Sequence, residues 1–204
     1  MKRDIYEKLV TWKSSSRRKP LLLQGARQTG KTFILKEFGQ KEYQGVVYCN
    51  FEGDPGLDRL FERDLNPERI LAELSIYMNL EIHPESDLVI FDEIQISNGA
   101  LNSLKYFAEQ RPDVHIAAAG SLLGVKLSSP GSFPVGKVNF LHLYPMTFLE
   151  FLDAMGESRY RKLLENVDRL VPINETFHLH LIDLLRRYYF VGGMPEPVKH
   201  FAET

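Results

Sequence analysis

The residues of this chain best placed to do chemistry are Gly25-Ala26-Arg27-Gln28-Thr29-Gly30-Lys31-Thr32, which match G-x-x-x-x-G-K-[ST] at each fixed position. Before them runs Pro20-Leu21-Leu22-Leu23-Gln24, an apolar run of strand length, and after them Phe33-Ile34-Leu35-Lys36-Glu37-Phe38, which reads as a helix. Strand, glycine loop and helix in that order make a phosphate cradle. Glycine lets the backbone curl so that successive N–H groups point inward, and the helix N-terminus adds donors and a partial positive charge. Lys31 can then reach the outer phosphates of ATP, and the Thr32 hydroxyl can ligate Mg²⁺.

A second run supplies carboxylates. Asp87-Leu88-Val89-Ile90-Phe91-Asp92-Glu93 is apolar without alternation in its middle, the pattern of a parallel strand covered on both faces. Ligands of open α/β sheets bind beyond the carboxyl ends of the strands. Asp92 is therefore expected at the edge that carries the phosphate loop, as a ligand of Mg²⁺. Glu93, directly after it, can orient or deprotonate an attacking water. A third strand, from Asp113 to Ala119, leads into Gly120-Ser121. Ser121 then reaches the same edge, within range of the γ-phosphate or the water. His115, in mid-strand, is expected to face a neighbouring helix.

These candidate residues need a scaffold, and the remaining pattern provides one. Helices are expected over 4–14, 31–39, 56–63, 67–79 and 98–110, and strands over 20–24, 45–50, 87–92, 113–119 and 138–143. Asn66-Pro67 reads as a cap and first-turn pair. Residues 122–137, rich in Ser, Gly and Pro, read as a loop. Strands alternate with helices up to about residue 144, which predicts an α/β fold: a parallel sheet with helices on both faces. This is the expected nucleotide-binding domain, 1–144. Residues 145–204 read as a small helical module, with helices over 147–154, 159–167 and 175–189 and one after Pro195. The aromatics Phe148, Phe151, Tyr188, Tyr189 and Phe190 are expected in its core.

Composition narrows the function classes. No apolar run approaches membrane-span length, and the first residues lack the apolar stretch of a signal peptide. Cys49 is the single cysteine, so no intrachain disulfide forms. Together these predict a cytoplasmic protein. A net charge of −2 exerts no global pull on nucleic acid. Lys2, Arg3, Lys8, Lys13, Arg17, Arg18 and Lys19 do outnumber Asp4 and Glu7 in the first twenty positions. They form either a DNA-facing patch or the solvated face of an N-terminal helix. The apolar spacing of Ile5, Leu9 and Trp12 favours the helix. His178 and His180 fall on different faces of a predicted helix, and no cysteine or acid completes a zinc set.

Several segments, in order, carry a family resemblance. Arg18 to Thr32, Asn50-Phe51-Glu52, Phe91-Asp92-Glu93-Ile94-Gln95, Gly120-Ser121, Leu143 to Leu152 and Tyr189 to Glu196 resemble the AAA-type P-loop ATPases of bacteria and archaea that usually carry a C-terminal DUF4143 region. The resemblance implies an ASCE-type P-loop NTPase sheet, in which an extra strand separates the two motif strands and the glutamate activates water. It implies an ATPase coupled to a macromolecular partner, protein or DNA. Members of that family usually continue well beyond the position of Thr204, so either a truncated chain or a short gene product is expected here. One position departs from the family. A Gly-Arg pair usually precedes the last sheet strand, whereas here the pair is Gly136-Lys137. Lysine keeps the charge and loses the bidentate fork of an arginine finger. A nucleotide-gated switch with little turnover is the alternative reading. A small-molecule kinase fits less well, because Glu93 is in place and no Arg-rich lid segment is visible.

Overall fold

The computed structural model describes residues 1–121, 136–166 and 172–204. Most of the 122–137 loop and the end of the 159–167 helix lie outside the described residues. The chain divides into two compact units, Tyr6–Leu143 and the group formed by Met1–Ile5 with Tyr144–Thr204.

The larger unit is built on a five-stranded parallel sheet: β1 (Leu21–Gln24), β2 (Gly45–Asn50), β3 (Asp87–Asp92), β4 (His115–Gly120) and β5 (Asn139–His142). Their spatial order is β2-β3-β4-β1-β5. β4 thus separates β1 from β3, the two strands that end in the phosphate loop and the acids. The register runs Leu21↔Ala117 and Leu88↔His115 across it. Strands β3 and β4 are buried at every position, which is why their sequences do not alternate.

Helices cover both faces. On one, Leu22, Val47, Cys49, Val89, Phe91, Ile116 and Ala118 share a core with residues of α3 (Gly56–Arg59), α4 (Pro67–Met78) and α5 (Asn98–Gln110). Burial there pushes the Cys49 thiol up to about 12, leaving it an inert packing group. On the other face lie α1 (Ile5–Ser14) and α2 (Lys31–Glu42), whose Trp12 and Phe38 rings pack 6.3 Å apart. Asn66 caps α4 by accepting from the N–H groups of Glu68 and Arg69, with Pro67 opening the helix.

Among the elements shorter than their patterns predict, two have a visible local cause. The 56–63 helix stops at Arg59, because Leu60, Phe61 and Glu62 bond to carbonyls three residues back and the chain tightens into turns. The fourth strand begins at His115, because Arg111 pairs with Asp113 at 2.6 Å and the Val114 N–H closes a turn onto Arg111.

The N-terminal bases are largely engaged within the molecule. Lys13 pairs with Glu42 at 3.6 Å, Arg18 donates to Pro112 O at 3.1 Å, and Lys19 donates to Gly136 O at 2.6 Å. Arg3 is buried against Glu150 at 3.0 Å and belongs with the smaller unit.

That smaller unit contains α6 (Phe148–Ala154), α7 (Ser158–Glu165), α8 (Glu175–Val191) and α9 (Pro195–Glu203). Thr147 and Glu150 form a capping box on α6. Glu150 also accepts from Arg3 Nε and the Asp4 N–H, so one buried carboxylate ties the first residues to the capping box. The Met146 N–H donates to Gly193 O, which joins the two motif stretches of this unit. Phe148, Phe151 and Tyr188 are in the core, as expected. Tyr189 and Phe190 are not, being 75% and 89% exposed. At 100° per residue, a helix that turns Leu181, Leu184 and Tyr188 inward carries the next two positions outward. His180 is half-exposed with Nε2 3.1 Å from Glu157. No helix among the described residues is long and apolar enough to cross a membrane.

His115 faces the α1–α2 side as expected, its Nδ1 2.7 Å from the Tyr43 hydroxyl and its ring beside Trp12. Burial, followed by the nearby Arg18 and Lys13 cations, pushes the imidazolium down to about 4 against a smaller pull from Asp113. The unfolded chain, near 6.5, takes up the proton first. Stability from this site is therefore complete above about pH 6.5 and is lost as pH falls toward 4, by about 3 kcal/mol. Denaturant unfolding across that range should show His115→Gln lacking this slope. A constant difference between wild type and variant over the range would contradict a buried neutral imidazole.

Candidate nucleotide site

The site begins where β1 ends. Leu143 of the segment after β5 donates its N–H to Gln24 O at 2.7 Å, bringing two backbones together beside the loop. A Cβ on Gly25 would stand 2.2 Å from Leu143 O, so only glycine fits there. The loop then turns through left-handed Gln28 (φ 65°) and Gly30 (φ 93°), and α2 starts at Lys31. Thr29 is fully buried and braces the curl by donating to Ala26 O at 2.9 Å. The first N–H groups of α2 have no acceptor within the helix and face the loop, as an anion site requires.

Lys31 is 6% exposed. Its ammonium donates to Gly25 O at 3.0 Å and Ala26 O at 2.8 Å, so it lies across the inside of the curl. Burial holds its pKa below the ordinary lysine value, and Glu93 and Asp92 pull it part of the way back. Arg27 and Gln28 are exposed, and Arg27 stands 3.9 Å from Glu52.

The carboxylates arrive from β3. Asp92 is 3% exposed and fully occupied. Its Oδ2 accepts from Thr32 Oγ1 and from the Tyr48 hydroxyl, each at 2.7 Å, and its Oδ1 accepts from the Glu93 N–H at 3.1 Å. Glu93 is in the left-handed region (φ 51°), an unfavourable conformation for a side chain of this size. That turn sends its carboxylate to Ser121 Oγ, which donates at 3.3 Å, and to Gln95 Nε2, which also donates to it. Ser121 follows β4 and so stands between the two motif strands. Lys31, Thr32, Asp92, Glu93 and Ser121 therefore converge at one carboxyl edge of the sheet.

Tyr48 and Lys36 at this edge carry no motif signal of their own, and Gln95 enters only as the last residue of the Phe91–Gln95 segment. Tyr48 and Gln95 hold the two acids, and Lys36 Nζ sits 3.4 Å from the centre of the Tyr48 ring. The trace of Tyr48 in the sequence is the period of β2, which puts it on the opposite face from Val47 and Cys49. Lys137 is elsewhere. It precedes β5 at the amino edge and pairs with Glu109 at 3.0 Å, so it does not reach the phosphate loop of its own chain. Arg161 and Arg187 pair with Asp153 and Asp183 respectively.

A parallel sheet of order 2-3-4-1-5 with a phosphate loop after β1 and an acid after β3 defines a P-loop NTPase of the ASCE type. Residues 17–152 match the AAA domain family, and the chain belongs to that family. It is thus a nucleotide-binding protein of the P-loop ATPase class. No functionally curated protein matches it in sequence. Among solved structures it is similar to the Walker-type ATPase of Pyrococcus abyssi, with TM-score 0.56 and 14% identity over 98% of this chain and 66% of that one. It is also similar to the Drosophila ORC bound to DNA (TM-score 0.57, 17% identity, 96% of this chain and 58% of that one). The third is the Thermotoga maritima RuvB Holliday junction branch migration motor (TM-score 0.51, 18% identity, 98% and 60%). At these identities the likeness is one of fold. The chain spans about three-fifths to two-thirds of the length of those structures.

The close approach at Gly25 yields a direct test. Gly25→Ala should destabilise the fold by about 1–3 kcal/mol, because the methyl group meets backbone that cannot rotate away. Thermal melting should show a lowered midpoint. An unchanged midpoint would mean that Leu143 does not lie against the loop.

Proposed function

We propose that this chain binds ATP with Mg²⁺ through Gly25–Thr32 and hydrolyses the β–γ phosphoanhydride bond. The observation that carries the proposal is the Thr32–Asp92 hydrogen bond of 2.7 Å, which joins the end of the phosphate loop to the end of β3. A hydroxyl and a carboxylate side by side form a hard-oxygen donor set suited to Mg²⁺, which takes few protein ligands and completes its shell with phosphates and water. Thr32 and Asp92 would hold the ion, and when bound it supplies charge neutralisation across the β- and γ-phosphate oxygens.

The chain's own groups divide the remaining work. The loop N–H groups and Lys31 hold the phosphates, and the Lys31 charge offsets the negative charge of the transferring group. Glu93 orients the attacking water and accepts its proton. Ser121 and Gln95 aim the Glu93 carboxylate, in keeping with their contacts to it. Water forms the new bond to the γ-phosphorus, the bond to the bridging oxygen breaks, and ADP leaves. The energy is spent on a macromolecular partner, a protein or DNA, and ATP turnover with and without added DNA separates the two.

Lys31→Ala removes a charge-assisted contact and should weaken ATP binding roughly ten- to a hundredfold. Calorimetric titration giving equal affinities for variant and wild type would sink the assignment. Glu93→Gln should leave ATP bound and slow single-turnover hydrolysis by about 10²–10⁴-fold, since an amide cannot take the proton. Turnover at the wild-type rate would make Glu93 a structural residue. Tight binding with no turnover in the wild type would favour the gated-switch reading.

A further inference from the structure

Asp92 is held by a residue that the phosphate-loop motif does not require. Tyr48 pairs with Ile90 in the β2–β3 ladder, and strand alternation places Ile90 and Asp92 on the same face. The tyrosine hydroxyl reaches along that face to Asp92 Oδ2 at 2.7 Å. It shares this oxygen with Thr32 Oγ1, also at 2.7 Å. Helix α2 secures both partners. Thr32 and Lys36 are four apart and so share a helix face. Thr32 bonds the carboxylate while the Lys36 ammonium lies 3.4 Å from the centre of the Tyr48 ring.

The two donors to Oδ2 differ in kind. Thr32 is itself a candidate ligand, so its position in the loaded site is dictated by the cation. Tyr48 is anchored in the sheet and beneath Lys36, so its position is independent of the cation. The Glu93 N–H fixes the other oxygen of Asp92 at 3.1 Å. With both oxygens held by donors of the scaffold, the carboxylate keeps one orientation whether or not an ion is present. Outer-shell hydrogen bonds of this type commonly change metal affinity by 10–100-fold.

We infer that Tyr48 is a positioning residue for the divalent cation, holding the Asp92 carboxylate ready through its hydroxyl. The inference rests on the ATP·Mg²⁺ reading of the site. Tyr48 touches neither nucleotide nor reacting atoms in this role. It acts through Asp92 alone.

The test is a Mg²⁺ titration of ATP binding, followed with a fluorescent ATP analogue, on wild type, Tyr48→Phe and Asp92→Asn. The phenylalanine variant keeps the ring against Lys36 and removes only the hydroxyl. It should raise the Mg²⁺ concentration for half-maximal binding about tenfold or more. Affinity for the analogue in EDTA should match wild type, while the melting midpoint of the nucleotide-free protein should fall, because the hydroxyl is one of three donors to a buried carboxylate. A Tyr48→Phe Mg²⁺ midpoint equal to wild type, with Asp92→Asn shifted, would overturn the role of Tyr48 and leave the ATP·Mg²⁺ reading standing. Equal losses with and without Mg²⁺ would overturn it too, by showing a general packing role. A wild-type affinity indifferent to Mg²⁺ would overturn both the inference and the reading beneath it.

Discussion

An ionised carboxylate at the end of a buried strand must be surrounded by donors, because its desolvation is otherwise prohibitive. Asp92 sets that condition for this fold. Its donors come from three places: Thr32 at the start of α2, Tyr48 in β2 and the backbone of Glu93. They meet because the ends of β1 and β3 lie at one edge with a single strand between them. The order β2-β3-β4-β1-β5 provides that spacing. The small residues of β4, Ala117, Ala118, Ala119 and Gly120, form the middle of this arrangement and are fully buried or nearly so. The left-handed turn at Glu93 directs the second carboxylate toward Ser121, while its N–H bonds Asp92 Oδ1.

Charge in the site is balanced locally. Lys31 is buried beside two acids, and its ammonium lies on the Gly25 and Ala26 carbonyls. An anion entering the curl would meet the loop N–H groups, the end of α2 and this ammonium together, and would supply the counter-charge that burial withholds from Lys31. Arg27 and Gln28 remain at the surface of the loop, where the motif allows any residue.

Motif and strand pattern made much of this site legible. G-x-x-x-x-G-K-T fixes a loop between strand and helix for reasons of backbone geometry, and the unbroken apolar run of Leu88 to Phe91 requires a strand covered on both faces. The position of β4 between the motif strands followed from family resemblance, since periodicity carries no information on strand order. Tyr48 was not legible, and Gln95 was visible only as the end of the Phe91–Gln95 segment, without its contact. A tyrosine in a strand reads as packing until its neighbour across the ladder is known, and Gln95 depends on the turn at Glu93. The burial of Arg3 was hidden for a similar reason, because its partner Glu150 is 147 residues away. Tyr189 and Phe190 show the reverse error. Aromatic content predicted core, and helical phase placed them in solvent.

On the proposed function, one carboxyl edge of the sheet receives nucleotide through the phosphate loop and the two acids together. Amide hydrogen exchange with and without ATP·Mg²⁺ addresses it most directly, because it reads the loop and the β3 end in one measurement. Protection should rise in residues 25–32 and in 92–95 together, with the distant α4 amides unchanged. Protection confined to the loop, or absent from both stretches at saturating nucleotide, would contradict it.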